Sequence, residues 1–273
     1  MKRLPAKLSL FILTLALLFS CNAVKRVGND ELLLSKNTIY LNGEKNKESR
    51  IHNQLYQEPN SKLLGIPLSL HFYNLAKPQP DTAFQHWLYK KPNRKERLIK
   101  IYSEKQVVQM GNSYVALNEW IKRTGEAPEI IDSVLTKKSI NRLKSWYFNN
   151  GWFNAEAEYE VKPTGKKRGE IDYHVTSHHA YIVDSIRQRI GSEVIDSLYN
   201  AHSEESKIKS GIQYRTLDYN AERDRLTKLF RNNGVYYFDQ EYISFEADTV
   251  DTNYKVNTTV IVNNRQISEG DST

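Results

Sequence analysis

Residues 142–151 read Arg-Leu-Lys-Ser-Trp-Tyr-Phe-Asn-Asn-Gly, and residues 225–234 read Arg-Leu-Thr-Lys-Leu-Phe-Arg-Asn-Asn-Gly. Arg, Leu, an aromatic residue and Asn-Asn-Gly recur at an offset of 83 residues. Recurrence at a fixed distance marks a duplicated supersecondary unit. Each copy reads as the end of a helix. Leu143 with Trp146 and Tyr147, and Leu226 with Leu229 and Phe230, give the i, i+3, i+4 apolar stripe. Gly151 and Gly234 then stand where a helix needs a left-handed stop, a conformation glycine adopts without steric cost.

A strand pattern follows each stop. Ala155, Ala157, Tyr159 and Val161 alternate with Asn154, Glu156, Glu158 and Glu160, as in a half-buried strand. Lys166, Lys167 and Arg168 make a basic turn, after which Ile171, Tyr173 and Val175 alternate with Glu170, Asp172 and His174. In the second copy Ile243, Phe245 and Ala247 alternate with Tyr242, Ser244 and Glu246, and a turn at residues 251–253 leads into Tyr254–Val262. Both copies read helix, strand, turn, strand. The competing explanation is a chance likeness between two unrelated helix–hairpin pieces, and the matched block with its matched downstream pattern favours duplication.

The chain opens with Lys2, Arg3 and Lys7 ahead of an apolar run from Leu8 to Phe19. That run is too short to span a bilayer and has the length and flanks of a signal-peptide core, so residues 1–20 read as a leader. Leu18-Phe19-Ser20-Cys21 follows, and Cys21 is the only cysteine of the chain. The pattern resembles a bacterial lipobox, in which the cysteine is lipidated and becomes the first mature residue; Phe19 departs from the small residue usual there. A plain secretory peptide with an incidental thiol is the alternative. One cysteine gives no disulfide framework, so stability must come from packing.

The formal charge of the 273 residues is +7. The leader carries three of the 39 Lys and Arg residues, which against 32 Asp and Glu leaves +4 for the mature chain. That excess does not argue for nucleic acid. Much of it sits in Lys90, Lys91, Arg94, Lys95, Arg97 and Lys100. A solvated loop explains this run, and contact with anionic head groups is the sharper alternative.

The remaining segments order themselves around the repeat. Residues 21–31 read as a short tether, Leu32–Leu41 as a first strand, and 49–56 as a helix. Residues 60–131, with Pro78 and Pro80 and with Trp87 and Trp120 as isolated anchors, read as an insertion with partial helix. Thr136 opens the helix that carries the first repeat. Tyr181–Ile190 reads as a strand, 192–201 as a helix, and Asp218 as the N-cap of the helix ending at Gly234. The expectation is an α+β chain of two tandem β-α-α-β-β domains, at 32–179 and 180–264, with a polar tail at 265–273.

That order resembles the POTRA (polypeptide-transport-associated) domain, and within it the lipid-anchored, TamA-like members of the BamA/TamA superfamily of outer-membrane assembly proteins. The resemblance is carried by Cys21 in its lipobox, Leu33-Leu34 with Asn37, Leu63-Leu64-Gly65, and His71-Phe72-Tyr73-Asn74-Leu75. Gly125-Glu126-Ala127-Pro128 and the repeated helix end add to it. Family members continue into a transmembrane β-barrel. Nine residues follow Asn264, and even a small barrel needs about 9–11 residues per strand, so no barrel is expected within this chain.

No Gly-rich phosphate loop, Gly-x-Ser-x-Gly elbow or His-Glu-x-x-His is present. His174, His178 and His179 lack a completing Cys or carboxylate pattern, so no metal and no cofactor is expected. Glu156, Glu158 and Glu160 read as the solvated face of a strand rather than as catalytic carboxylates, and the chain is not expected to be an enzyme. What the resemblance implies is a scaffold at the periplasmic face of the outer membrane. It would bind unfolded outer-membrane clients, a barrel or assembly-machinery subunits by β-strand addition. The edge implied is the strand after each Asn-Asn-Gly, about 153–161 and, nearer any barrel, Glu241, Tyr242, Ile243, Ser244, Phe245, Glu246, Ala247 and Asp248. A lipoprotein that binds a glycan or another envelope ligand, or a hydrolase without a legible motif, is the alternative.

Overall fold

A computed structural model describes residues 23–264. The expected leader, the expected lipidation site Cys21 and the polar tail lie outside the described residues. In chain order the elements are β1 (Leu33–Leu41), β2 (Glu44–Asn46), α1 (Ser49–His52), α2 (Leu68–Leu75), α3 (Pro80–Tyr89), α4 (Arg94–Ile101), α5 (Glu104–Thr124) and α6 (Ser133–Asn149). They continue with β3 (Glu156–Gly165), β4 (Arg168–Thr176), β5 (Ile182–Ile190), α7 (Glu193–Ala201), α8 (Thr216–Asn232), β6 (Ile243–Asp248) and β7 (Lys255–Val262).

The strands form one four-stranded sheet, in the order β2-β1-β4-β3, and one three-stranded sheet, in the order β5-β7-β6. β5 runs parallel to β7, while β6 is antiparallel to it. A parallel neighbour requires a crossover, which α7 and α8 supply. The same order is present twice. A strand, a helix pair and a hairpin follow one another, and the last strand of the hairpin takes the centre beside the first. In the earlier copy the helix pair is α1 and α6, and α2 to α5 are inserted between them. The segment 60–131 is thus far more helical than the sequence suggested. Among the described residues no helix is long and apolar enough to cross a membrane.

The described residues divide into two compact units. The first comprises residues 23–38, 56–138 and 159–173. Residues 23–31 form turns here, with Ala23 and Val27 buried against Leu33 and Leu70. Buried Gln57 ties three segments together. Its side chain donates to the Glu129 carboxylate and the Ile130 carbonyl, both at 2.7 Å, and accepts from the Asp132 N–H at 2.9 Å. Its own carbonyl accepts from the Asn37 amide at 2.7 Å. Leu64 (φ 51°) and Gly65 (φ 81°) close a two-residue turn between the paired residues Leu63 and Ile66. Glu126 accepts from the backbone N–H of Ser61 at 2.8 Å and from its hydroxyl. Gly125 is needed because a Cβ there would meet the backbone of Tyr73 at 2.6 Å. The inserted helices hold a small core of Phe84, Leu88 and Val107. Trp87 and Trp120, expected as anchors, are about half exposed, so aliphatic and Phe side chains do the anchoring instead.

The second unit comprises residues 39–55, 139–158 and 174 onward. Its main core gathers Tyr199, Leu226, Phe230 and Phe238 with Ile243, Val260 and Val262. Two expected helix starts are displaced. α6 begins at Ser133, because the Asp132 carboxylate accepts from the N–H groups of Val134 and Leu135 at 2.6 and 3.2 Å. A carboxylate that satisfies two otherwise orphaned donors decides where a helix starts. α8 begins at Thr216 with Arg215 in the cap position. Asp218 lies within the first turn, held by two 2.9 Å bonds from the Arg215 guanidinium, and is not the cap.

Candidate functional site

The repeated block has one structural meaning in both copies. The second Asn of each Asn-Asn-Gly donates its side-chain amide to the carbonyl four residues back: Asn150 to Trp146 at 2.7 Å, and Asn233 to Leu229 at 2.8 Å. Gly151 (φ 92°) and Gly234 (φ 97°) then reverse the chain. The next N–H reaches back to the buried aromatic, Trp152 to Tyr147 and Val235 to Phe230, both at 3.0 Å. These bonds satisfy the carbonyls that a helix leaves unpaired at its C-terminus. The block aims the chain into the strand that follows, and in both sheets that strand lies at an edge: β3 in the first and β6 in the second.

In the second sheet β6 offers an edge to an added strand. The Tyr242 carbonyl accepts from the Asn263 N–H at 2.9 Å, and the register continues from Ile243 opposite Val262 to Asp248 opposite Asn257. In an antiparallel pair, hydrogen-bonded and non-hydrogen-bonded positions alternate. Ser244, Glu246 and Asp248 therefore turn their backbone groups towards β7. Ile243, Phe245 and Ala247 turn theirs away from the sheet. The Arg223 guanidinium occupies the Ile243 carbonyl at 3.2 Å and sits 5.4 Å from the Phe245 ring centroid. The outward groups of Phe245 and Ala247 form the free part of the edge.

The side chains sort differently. Ile243 is buried and Phe245 packs against the core, as the alternation predicts, but Ala247 is exposed. On the other face the Glu246 carboxylate meets Arg189 of β5 at 2.6 Å. Glu241 and Tyr242, read as the first residues of the strand, lie in a 3-10 turn. The Asp239 carboxylate accepts from the Glu241 N–H at 3.0 Å and fixes that turn. In the earlier copy, residues 153–155 likewise precede the strand, which begins at Glu156.

The opposite edge of the second sheet is partly closed. Val183 of β5 donates to the Ile212 carbonyl at 2.9 Å and accepts from the Gly211 N–H at 2.8 Å. Tyr181 accepts from Tyr214 at 2.9 Å. Segment 211–214 thus covers the start of β5. Neither that cover nor Arg223 had a sequence signal, since a lone Arg on a helix and a short polar loop are common.

Ionisable groups near the helices act structurally. Glu222 is fully buried and binds Arg225 at 2.6 Å, and it also accepts from the Lys207 N–H at 2.7 Å. The hydrogen bonds to Glu222 raise Arg225 above its ordinary range. Among the described residues no three His, Cys, Asp or Glu side chains are grouped to hold a metal ion. His174 stacks on Tyr40 at 5.0 Å and His179 on Tyr254 at 4.2 Å. A cleft of about 420 Å³ beside Leu68, Phe72 and Leu75 is mostly apolar, with His71 its one titratable side chain.

No protein-family model matches the chain, and no curated protein matches it. The solved structures that match include POTRA regions. The crystal structure of Haemophilus influenzae BamA POTRA3-5 is 12% identical, covers 88% of this chain and 100% of its own, and has a TM-score of 0.32. POTRA1-2 of the periplasmic domain of Omp85 from Anabaena is 10% identical over 88% of this chain and 100% of that one, with a TM-score of 0.30. BamA from Haemophilus ducreyi lacking POTRA domains 1-3 is 16% identical over 52% of this chain and 25% of that one, with a TM-score of 0.34. The strand order and register described above give the β-α-α-β-β order twice, with two open sheets.

Proposed function

We propose that this chain is a periplasmic module of outer-membrane protein assembly and that it receives an extended client or partner strand at β6. Its two modules are residues 32–179 and 180–264, and it is held to the outer membrane by acyl chains on Cys21. The observation that carries the reading is the row of outward backbone groups at Phe245 and Ala247, on the edge opposite the β5 edge that segment 211–214 partly covers. An unpaired edge offers main-chain hydrogen bonds to any extended peptide and asks little of its sequence. That suits a scaffold whose clients share only the habit of forming strands. The order of motifs from Cys21 to Gly234 supports the same reading, as does the duplicated architecture.

The test is a proline at Ala247. Its outward N–H is lost, the ladder to β7 is untouched, and the residue before a proline prefers extended backbone, as a strand requires. Ser244 is the wrong place, because its N–H faces β7. Ala247→Pro and Ala247→Ser are compared for crosslinking to an unfolded outer-membrane protein, after circular dichroism shows that both are folded. The expected result is loss of capture by the proline variant alone. Equal capture by both folded proteins rules out strand addition at β6.

A further inference from the structure

We propose that the end of α3 and the outward side of α4 form a face that docks on an anionic lipid bilayer. This reading is independent of strand addition at β6. From Lys90 to Lys100 the chain carries six cations and one acid, Glu96. Four of the six cations, Arg94, Lys95, Arg97 and Lys100, lie on a helix rather than on a loop. At about 100° per residue, Lys100, Arg97, Ile101 and Arg94 fall within one arc of about 120°. Leu98 and Ile99, on the other side of the helix, pack against Phe84, Leu88 and Val107.

Three features separate this face from an ordinary solvated one. Ile101, inside the cationic arc, is 72% exposed. Arg94 lies over the Trp87 ring at 4.7 Å, so a half-exposed aromatic joins the same surface. Among the described residues, none of the six cations stands within ion-pair distance of a carboxylate. Unpaired Lys and Arg attract acidic head groups, Trp and Tyr settle at head-group depth, and an aliphatic side chain enters the acyl boundary. A soluble polyanion would satisfy the cations and leave Ile101 and Trp87 in water. A bilayer takes up both.

The test uses the full chain carrying Cys21→Ser, so that acylation cannot hold it to a vesicle. Sedimentation is measured with phosphatidylcholine vesicles and with vesicles containing roughly 30% phosphatidylglycerol, the neutral vesicles reporting any contribution of the leader. Binding is expected to favour the anionic vesicles and to collapse near 1 M salt, where the screening length is about 3 Å. Arg94→Gln, Arg97→Gln and Lys100→Gln together should weaken it on the order of a hundredfold, at roughly fivefold per cation. Lys137→Gln, Lys138→Gln and Lys144→Gln, equal in charge change and exposed on α6, should leave it intact. Ile101→Ser tests the apolar part and should weaken binding severalfold with charge unchanged. The proposal is overturned if the α4 variant, folded by circular dichroism, binds like its parent. It is equally overturned if both vesicle types bind alike or if high salt has no effect.

Discussion

Tyr147 and Phe230 hold the same position in the two copies of the repeated helix, and both side chains are fully buried. Only Tyr147 carries a hydroxyl, and that oxygen meets no hydrogen-bond partner among the described residues. Burial pushes the Tyr147 phenol up to about 12. The second copy shows that the site works without the polar atom. Tyr147→Phe is therefore expected to be neutral or to stabilise by up to about 1 kcal/mol, because an unpaired buried hydroxyl costs free energy. Tyr219 is the contrast, since its hydroxyl is 2.6 Å from that of Thr258. Tyr219→Phe should destabilise by about 1 kcal/mol. Urea denaturation of both variants checks the pair, and a loss at Tyr147 as large as that at Tyr219 contradicts it.

The two helix stops should differ in what they tolerate. Alanine at Gly234 meets nothing within 4 Å, so its cost is the positive φ alone, about 1 kcal/mol. At Gly151 an added Cβ would stand 2.6 Å from the Tyr214 carbonyl oxygen. Gly151→Ala should thus cost about 1–3 kcal/mol more than Gly234→Ala. Equal unfolding midpoints for the two variants would show that the contact gives way freely.

Acid should weaken the first unit in two steps. Burial, then the charge of Arg168, holds the His71 imidazole below its ordinary 6.5. The unfolded chain takes up that proton first, so this stability is complete above about pH 6.5 and is lost as pH falls. The hydrogen bonds from Ser61 hold Glu126 below its ordinary 4.5, and its contribution is lost on further acidification through that range. Denaturation midpoints measured from pH 7 to 3 should show both steps, and His71→Gln should remove the upper one alone. A variant that keeps the upper step assigns it to another group.

Cys21→Ser should move the protein from the membrane to the soluble periplasmic fraction, because two or more acyl chains give anchoring that one chain does not. Mass spectrometry of the wild-type N-terminus checks the same point. An unmodified thiol on a membrane-bound protein would place the attachment elsewhere.

The sequence by itself determined the local grammar of this protein. Asn-Asn-Gly twice, Leu and aromatic residues at helical spacing, and the alternation in residues 155–161 and 243–247 depend only on neighbours in the chain, and periodicity reports neighbours. The helix ends, the hairpins and the duplicated order were legible for that reason. Helix starts were less so: Asp132 caps α6 ahead of Thr136, whereas the Asp218 carboxylate is taken by Arg215 and lies inside α8. The insertion was illegible because its helices expose aromatics and bury few side chains, which blurs the apolar stripe.

Only the tertiary structure decided which part of β6 is open. Whether a strand lies at an edge, and which of its N–H groups face outwards, depend on a partner strand and on one bond between Tyr242 and Asn263, 21 residues apart. Arg223 over the Ile243 carbonyl and segment 211–214 along β5 are likewise contacts between distant parts of the chain. Alternation sorts side chains between faces, but backbone hydrogen bonding lies in the plane of the sheet, perpendicular to that signal. No period in the sequence reports it.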